Sequence, residues 1–177
     1  VALAIAGMLC SNRTLKSLFL YSERIVDGTS TSDKGTNAIA ESLLENRTLE
    51  DLRMYGLNAS NVSFERFAEA LRVNTTLTCF GISGLGMSHD NSLFMSYDDV
   101  LCLSKALARN RTLRKLILCS NGISSGGAEA FPVALRENST LEVLELFGNH
   151  IYNAGTTAIA DALVENRSLT TLDVGHN

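Results

Sequence analysis

No stretch of this 177-residue chain is apolar for the roughly 18 residues that a membrane span requires, so a membrane-spanning role is set aside. It carries no basic stripe either. Fifteen lysines and arginines are interspersed with nineteen acids for a net charge of −4, whereas a nucleic-acid binder shows clustered positive charge. Histidine is scarce and dispersed, at His89, His150 and His176, and none stands at metal-ligand spacing from a cysteine. The nearest acidic grouping, His89-Asp90 with Asp98-Asp99, falls where a helix should begin, and the aspartates read as helix caps. A Gly-rich phosphate loop and a nucleophile elbow are both missing. Ser124-Ser-Gly-Gly follows a strand pattern but has neither the lysine nor the spacing. Catalysis and a cofactor are therefore not expected. The four cysteines, Cys10, Cys79, Cys102 and Cys119, make no disulfide framework, which fits a reducing, cytoplasmic setting.

What the chain has instead is a repeat. Asn-x-(Ser/Thr)-Leu occurs six times, with leading leucines at Leu15, Leu49, Leu77, Leu113, Leu141 and Leu169. Their separations are 34, 28, 36, 28 and 28 residues, a 28-residue unit twice stretched. Three places on stand Leu18, Leu52, Phe80, Leu116, Leu144 and Leu172; five places on stand Leu20, Met54, Ile82, Leu118, Leu146 and Val174. Apolar residues two apart share one face of a strand. Upstream of each Asn the period becomes helical, with Ile5, Ile39, Phe67, Leu103, Phe131 and Ile159 seven residues before it and an invariable Leu three before it. Small residues such as Ala6, Ala40, Ala68 and Ala160 lie between, which lets the helix approach the strand layer. One strand and one helix cannot bury their apolar faces alone; stacking buries each unit against the next.

This pattern resembles the leucine-rich repeats of the long, ribonuclease-inhibitor-like subtype, most fully in LEVLELFGNHIYNAGTTAIADALVENRSL from Leu141 to Leu169. The resemblance covers essentially the whole chain. It implies an α/β right-handed solenoid, an arc of a horseshoe with a parallel sheet on the concave face and helices on the convex face. Residues 1–177 then form one domain of about six repeats. The family's Asn eight residues after the leading Leu is present as Asn121, Asn149 and Asn177, while Glu23, Leu57 and Leu85 hold that place earlier. Pro132 lies within the fourth unit's helix pattern, where it removes a hydrogen bond and should bend or shorten the helix. Val1 already stands on a helical pattern and Asn177 follows the sixth strand, with no polar capping unit at either end; the expectation is a piece of a longer array. Eight N-glycosylation sequons occur, but six are the repeat's own corner, and the two others are Asn58 and Asn61.

Side chains between the core rungs point to the concave face. The candidate partner-binding residues are Phe19, Tyr21, Arg53, Tyr55, Lys115, Ile117, Glu145, Phe147 and Asp173. Tyr21 and Tyr55 should lie side by side with Phe19 close by, and exposed aromatics among Arg and acids are the makings of interface hot spots. Charge grades along this face, from Lys16, Arg53, Arg114 and Lys115 to Glu142, Glu145 and Asp173. The stretched units place longer loops at 26–34 and 88–96, the second with Leu93, Phe94 and Met95, which are read as folding back over the helices. Cys79 and Cys119 belong to neighbouring strands four residues out of register, too far apart for a disulfide. The function read from all this is a non-catalytic, monomeric scaffold that grips a protein partner on its concave face. Two alternatives come from the repeat subtype: a GTPase-activating protein like the activator of Ran, and the sensing or autoinhibitory array of a nucleotide-binding immune receptor.

Overall fold

The computed structural model describes residues 1–21, 32–56, 61–84 and 94–177, with only the backbone of residues 32, 33 and 61. Helices and strands alternate as the repeat demands. They are α1 (Ala2–Ser11), β1 (Ser17–Tyr21), α2 (Ser32–Ser42), β2 (Asp51–Tyr55), α3 (Asn61–Val73), β3 (Cys79–Ser83), α4 (Tyr97–Arg109), β4 (Lys115–Ile117), α5 (Ser125–Ala128), α6 (Phe131–Glu137), β5 (Val143–Glu145), α7 (Tyr152–Leu163) and β6 (Thr171–Asp173). All six strands run parallel in the order β1-β2-β3-β4-β5-β6, which makes the chain an α/β solenoid arc with its helices on one face of the sheet. Register follows the repeat. Leu18 pairs with Leu52, Leu52 with Phe80, Phe80 with Leu116, Leu116 with Leu144 and Leu144 with Leu172.

The rungs form one strip-like core. Leu52, Phe80, Leu116 and Leu144 are buried, as are Met54, Ile82, Leu118 and Leu146. Ile39, Phe67, Leu103, Phe131 and Ile159 close the strip from the helix side. Burial fails only at the ends: Ile5, Leu15, Leu18 and Leu20 of the first unit, and Leu163, Leu169, Leu172 and Val174 of the last, are only partly covered. Ala160 is exposed as well, since no further helix packs on α7.

The corner asparagines tie the units together. Asn74 Oδ1 accepts from the backbone N–H of Thr76 (3.0 Å) and Leu77 (2.8 Å), while its amide donates to the carbonyls of Leu43 (2.9 Å) and Asn46 (3.1 Å) in the preceding unit. Asn46, Asn110, Asn138 and Asn166 repeat this arrangement one unit along. From Asn46 onward the motif is therefore a backbone splint whose amide nitrogen is committed inside the protein. Asn58 and the side chain of Asn61 lie outside the described residues. Arginine after the corner Asn adds a second tie. Arg111 donates to the carbonyls of Ala108 (2.7 Å) and Asn110 (3.1 Å), and Arg167 to Val164 (2.8 Å) and Asn166 (3.1 Å), placing cations at helix C-termini where the dipole favours them.

A second ladder runs beyond the strands. Asn149 Oδ1 accepts from the N–H of Asn121 and Ile123 (3.0 Å each), and its amide donates to the carbonyls of Leu118 and Leu146. Asn177 serves Ile151, Leu146 and Val174 in the same way. Glu23, Leu57 and Leu85, which stand where the earlier units depart from this pattern, lie outside the described residues. Seven places after the leading Leu, the backbone enters the left-handed region at Gly56, Gly84, Ser120, Gly148 and His176. Ser120 (φ 55°) holds that conformation with a side chain, at an intrinsic cost of about 1 kcal/mol relative to glycine. Ser120→Gly is expected to raise stability by up to about 1 kcal/mol in a urea melt; a loss would show that the hydroxyl contributes more than the backbone strain costs.

Pro132 does shorten the fourth helix. The segment divides into α5 and α6, and the proline falls in the first turn of α6, where no intrahelical N–H is needed. Of the aspartates expected to cap α4, Asp99 does so from within the first turn: Ser96, the N-cap, accepts from Asp99 N–H through its Oγ, and Asp99 Oδ2 accepts from Ser96 N–H (2.8 Å), a closed capping box, while Asp98 stands exposed in the same turn. Of the two stretched loops, residues 26–31 and 88–93 lie outside the described residues, including Leu93, His89 and Asp90. Residues 32–34 belong to the first turn of α2. Met95 is 2% exposed and joins the core, and Phe94 rests on Gly122, so these two residues fold back onto the body.

Candidate concave-face site

Strand alternation carries every second side chain to the face opposite the helices. At the β1–β2 end, the rings of Tyr21 and Tyr55 stack in parallel, 4.7 Å between centroids and 5° between planes. That separation is the strand spacing itself, because the register sets Tyr21 opposite Tyr55. Tyr21 is 75% exposed and Phe19 47%. Arg53 lies over the Phe19 ring, its guanidinium carbon 5.2 Å from the centroid. It is held there by a bidentate pair with Asp51, Nε to Oδ1 at 2.9 Å and Nη2 to Oδ2 at 2.7 Å. This hydrogen bonding raises the Arg53 pKa further above its ordinary value. Phe19, Tyr21, Arg53 and Tyr55 are thus one preassembled patch.

The opposite end is built on Phe147. It is 41% exposed, packs 4.8 Å from the His176 ring and leans over Gly175. Lys115 bonds Glu145 at 2.5 Å across β4 and β5. Asp173 Oδ1 accepts from the Gly175 N–H (2.9 Å), which fixes the turn after β6. Phe147, Lys115, Glu145 and Asp173 therefore cluster, about four strand spacings or roughly 19 Å from the Tyr21 stack.

Ile117 departs from expectation. It is 5% exposed, lying over Gly81, whose missing side chain leaves the space it fills, with Arg53 alongside. It separates the two patches as a floor residue and offers no surface to a partner. The charge gradient is also altered. Lys16 pairs with Glu50 at 2.7 Å, Arg53 with Asp51, Arg114 with Glu142 and Lys115 with Glu145. Each base on this face answers an acid beside it, leaving little net field. Lys16–Glu50 and Arg114–Glu142 join facing positions of adjacent units, Lys115–Glu145 runs diagonally between strands and Arg53–Asp51 lies within β2, so a reading of charge along the chain hides most of the pairing.

Two histidines gain a role that spacing along the chain does not reveal. His150 stacks on Tyr152 (6.2 Å between centroids, 18° between planes) and meets Phe94 edge-on at 6.0 Å, while His176 supports Phe147. They extend the aromatic surface over the rim beyond β5 and β6. All four cysteines are free. Burial pushes the Cys79 thiol up to about 11, so it stays protonated at neutral pH. Among the described residues, no group of three His, Cys, Asp or Glu is placed to hold a metal ion, and no helix is long and apolar enough to cross a membrane.

None of the curated proteins matches the chain in sequence. Among solved structures it is similar to the actin-binding site 2 domain of leiomodin-1, with a TM-score of 0.66 and 18% identity, covering 91% of this chain and 86% of that one. It is likewise similar to the tropomodulin C-terminal domain of Caenorhabditis elegans, with a TM-score of 0.67 and 13% identity, covering 93% and 92%. At such identity the likeness shows the fold. A family model described as Leucine Rich repeat matches residues 109–131, 137–160 and 165–177. That match covers the later units, and the same strand–helix ladder continues through the earlier ones, so the chain has the leucine-rich-repeat fold.

Proposed function

We propose that this is a non-catalytic scaffold of the ribonuclease-inhibitor-like repeat subtype that binds a protein partner on its concave face. One observation carries the reading: the stack of exposed Tyr21 on half-buried Tyr55, with exposed Phe19 under Arg53 on the same two strands and a further exposed aromatic, Phe147, across the same face. Rigid aromatic area of this kind yields binding energy at low entropic cost. The leiomodin-1 domain is by name an actin-binding site, which supports a protein partner and makes actin the first to try. Free cysteines suit a reducing, cytoplasmic setting.

The test is a pull-down from cell lysate, with purified actin alongside, comparing wild type with Tyr21→Ala/Tyr55→Ala/Phe147→Ala once circular dichroism shows both folded. A partner held by wild type should bind the variant at least about tenfold more weakly. Because the bases of the face are already paired, that affinity should change less than about threefold between low and moderate salt. Identical captures would remove the concave face as the site.

A further inference from the structure

Along the edge where each helix ends and the next strand begins, the repeat closes its corner with a guanidinium. Arg111 donates to the carbonyls three and one places before it, Ala108 (2.7 Å) and Asn110 (3.1 Å), and Arg167 donates to Val164 (2.8 Å) and Asn166 (3.1 Å). Arg47 does nearly the same, reaching Leu43 (3.5 Å) and Asn46 (3.1 Å). These carbonyls are the unpaired end of a helix, where the backbone dipole favours a cation. Two corners lack the arginine, at Thr75 and Ser139, and at the second a cavity of about 540 Å³ opens across three units. We propose that this cavity takes the arginine side chain of a protein partner, whose guanidinium occupies the place that Arg111 and Arg167 fill in the units on either side.

The wall of the cavity suits that occupant. It includes the end of α6 and the corner that follows, from Leu135 to Ser139. Among the described residues no side chain donates to the Arg136 carbonyl, the counterpart of Ala108 and Val164. The Asn138 carbonyl is held only by long bonds, from the Ser168 hydroxyl (3.2 Å) and the Asn166 amide (3.4 Å), so a charged donor competes well for it. Arg114 of the preceding unit and Ser168 of the following one close the sides, so the site is complete within three stacked units. It lies away from the concave face and stands independently of the reading given for that face.

Charge agrees. Of the ionised side chains around the cavity, Arg114 is joined to Glu142, and Arg167 is spent on its own two carbonyls. Glu137 and Glu165 are exposed and form no ion pair among the described residues. That leaves two carboxylates and a helix C-terminus facing one unpaired cation, Arg136, so a further cation is the charge the site lacks. A guanidinium donates in a planar fork to two acceptors at once, which an ammonium does not; arginine therefore fits where lysine does not.

The experiment is an amide-resolved NMR titration with N-acetyl-arginine amide, alongside N-acetyl-lysine amide, free L-arginine and acetate at equal ionic strength. The arginine amide should move the signals of residues 135–140 and 165–168, and the lysine amide should bind at least about threefold more weakly. Ser139→Arg restores the repeat's own residue, so its guanidinium should close the corner from within. That variant should keep its circular dichroism and bind the arginine amide at least about tenfold more weakly. Glu137→Gln/Glu165→Gln leaves the corner intact and should weaken binding about threefold. No movement of these signals, either variant binding like wild type, lysine binding as well as arginine, or acetate moving the same signals further would each overturn the proposal. Free L-arginine binding more tightly than the amide would also overturn it, by assigning the cavity to the amino acid instead of a partner's side chain.

Discussion

Asn110→Ala is expected to cost about 3 kcal/mol or more, read as a fall in the urea midpoint, while Asn12→Ala should cost only about 1 kcal/mol. The two residues occupy the same repeat position and differ in what their amides reach. Asn110 is 3% exposed. Its Oδ1 accepts from Thr112 N–H (2.9 Å) and Leu113 N–H (2.7 Å), and its Nδ2 donates to the carbonyls of Leu71 (2.7 Å) and Asn74 (3.3 Å). Truncation therefore strands two backbone donors and the Leu71 carbonyl away from water, each at a desolvation cost of about 1 kcal/mol or more, while the Asn74 carbonyl keeps the Thr112 hydroxyl as donor (3.4 Å). Asn12 supports only its own corner, through Thr14 and Leu15, at a partly exposed site where water can replace it. Asn110→Asp sharpens the contrast: shape and acceptor are kept, but a carboxylate is set against two carbonyls, and the loss should be at least as large as for alanine. Equal costs at positions 12 and 110 would mean that the bonds between units contribute little, and that each corner acts by itself.

The rungs were legible because burial here is strictly periodic. Every residue three and five places after a leading Leu proved to be core wherever a unit is flanked on both sides, and phase alone fixed the register of all six strands. The Tyr21–Tyr55 stack followed from the same phase. What periodicity does not encode is height. Ile117 stands at a surface-facing position, yet it sinks over Gly81, because an absent side chain on one strand makes room for its neighbour. Charges behave similarly. Lys115 and Glu145 lie 30 residues apart in the chain and 2.5 Å apart in space, so a gradient along the sequence becomes a row of neutral pairs. The histidines escaped notice for a related reason: His150 and His176 stack on rings brought close by the turns beyond the strands, and those turns carry no apolar period. Fold lies in what repeats, and the candidate site lies in the positions where the repeat varies.

Phe80→Ala should remove about 3–5 kcal/mol. Phe80 is fully buried in β3, packs tilted against Phe67 of α3 at 5.1 Å between centroids, and pairs in register with Leu52 on one side and Leu116 on the other. It is the only ring among the six residues of its rung, so its truncation opens a larger void than any leucine there would leave. The void would also touch two junctions at once. In a stacked array the stability is close to a sum of unit terms and nearest-neighbour terms, and β3 lies near the middle, where loss of coupling separates the first units from the last. Leu172→Ala makes the comparison. That residue is on the same rung but at the outer strand, partly exposed and with a neighbour on one side only, and its cost should be about 1–2 kcal/mol. Phe80→Leu, which keeps most of the volume, should fall near the lower value. Urea unfolding followed by circular dichroism measures all three. If Phe80→Ala cost no more than Leu172→Ala, the central junctions would be no stronger than the outer one. The array would then owe its stability to individual units rather than to the contacts between them.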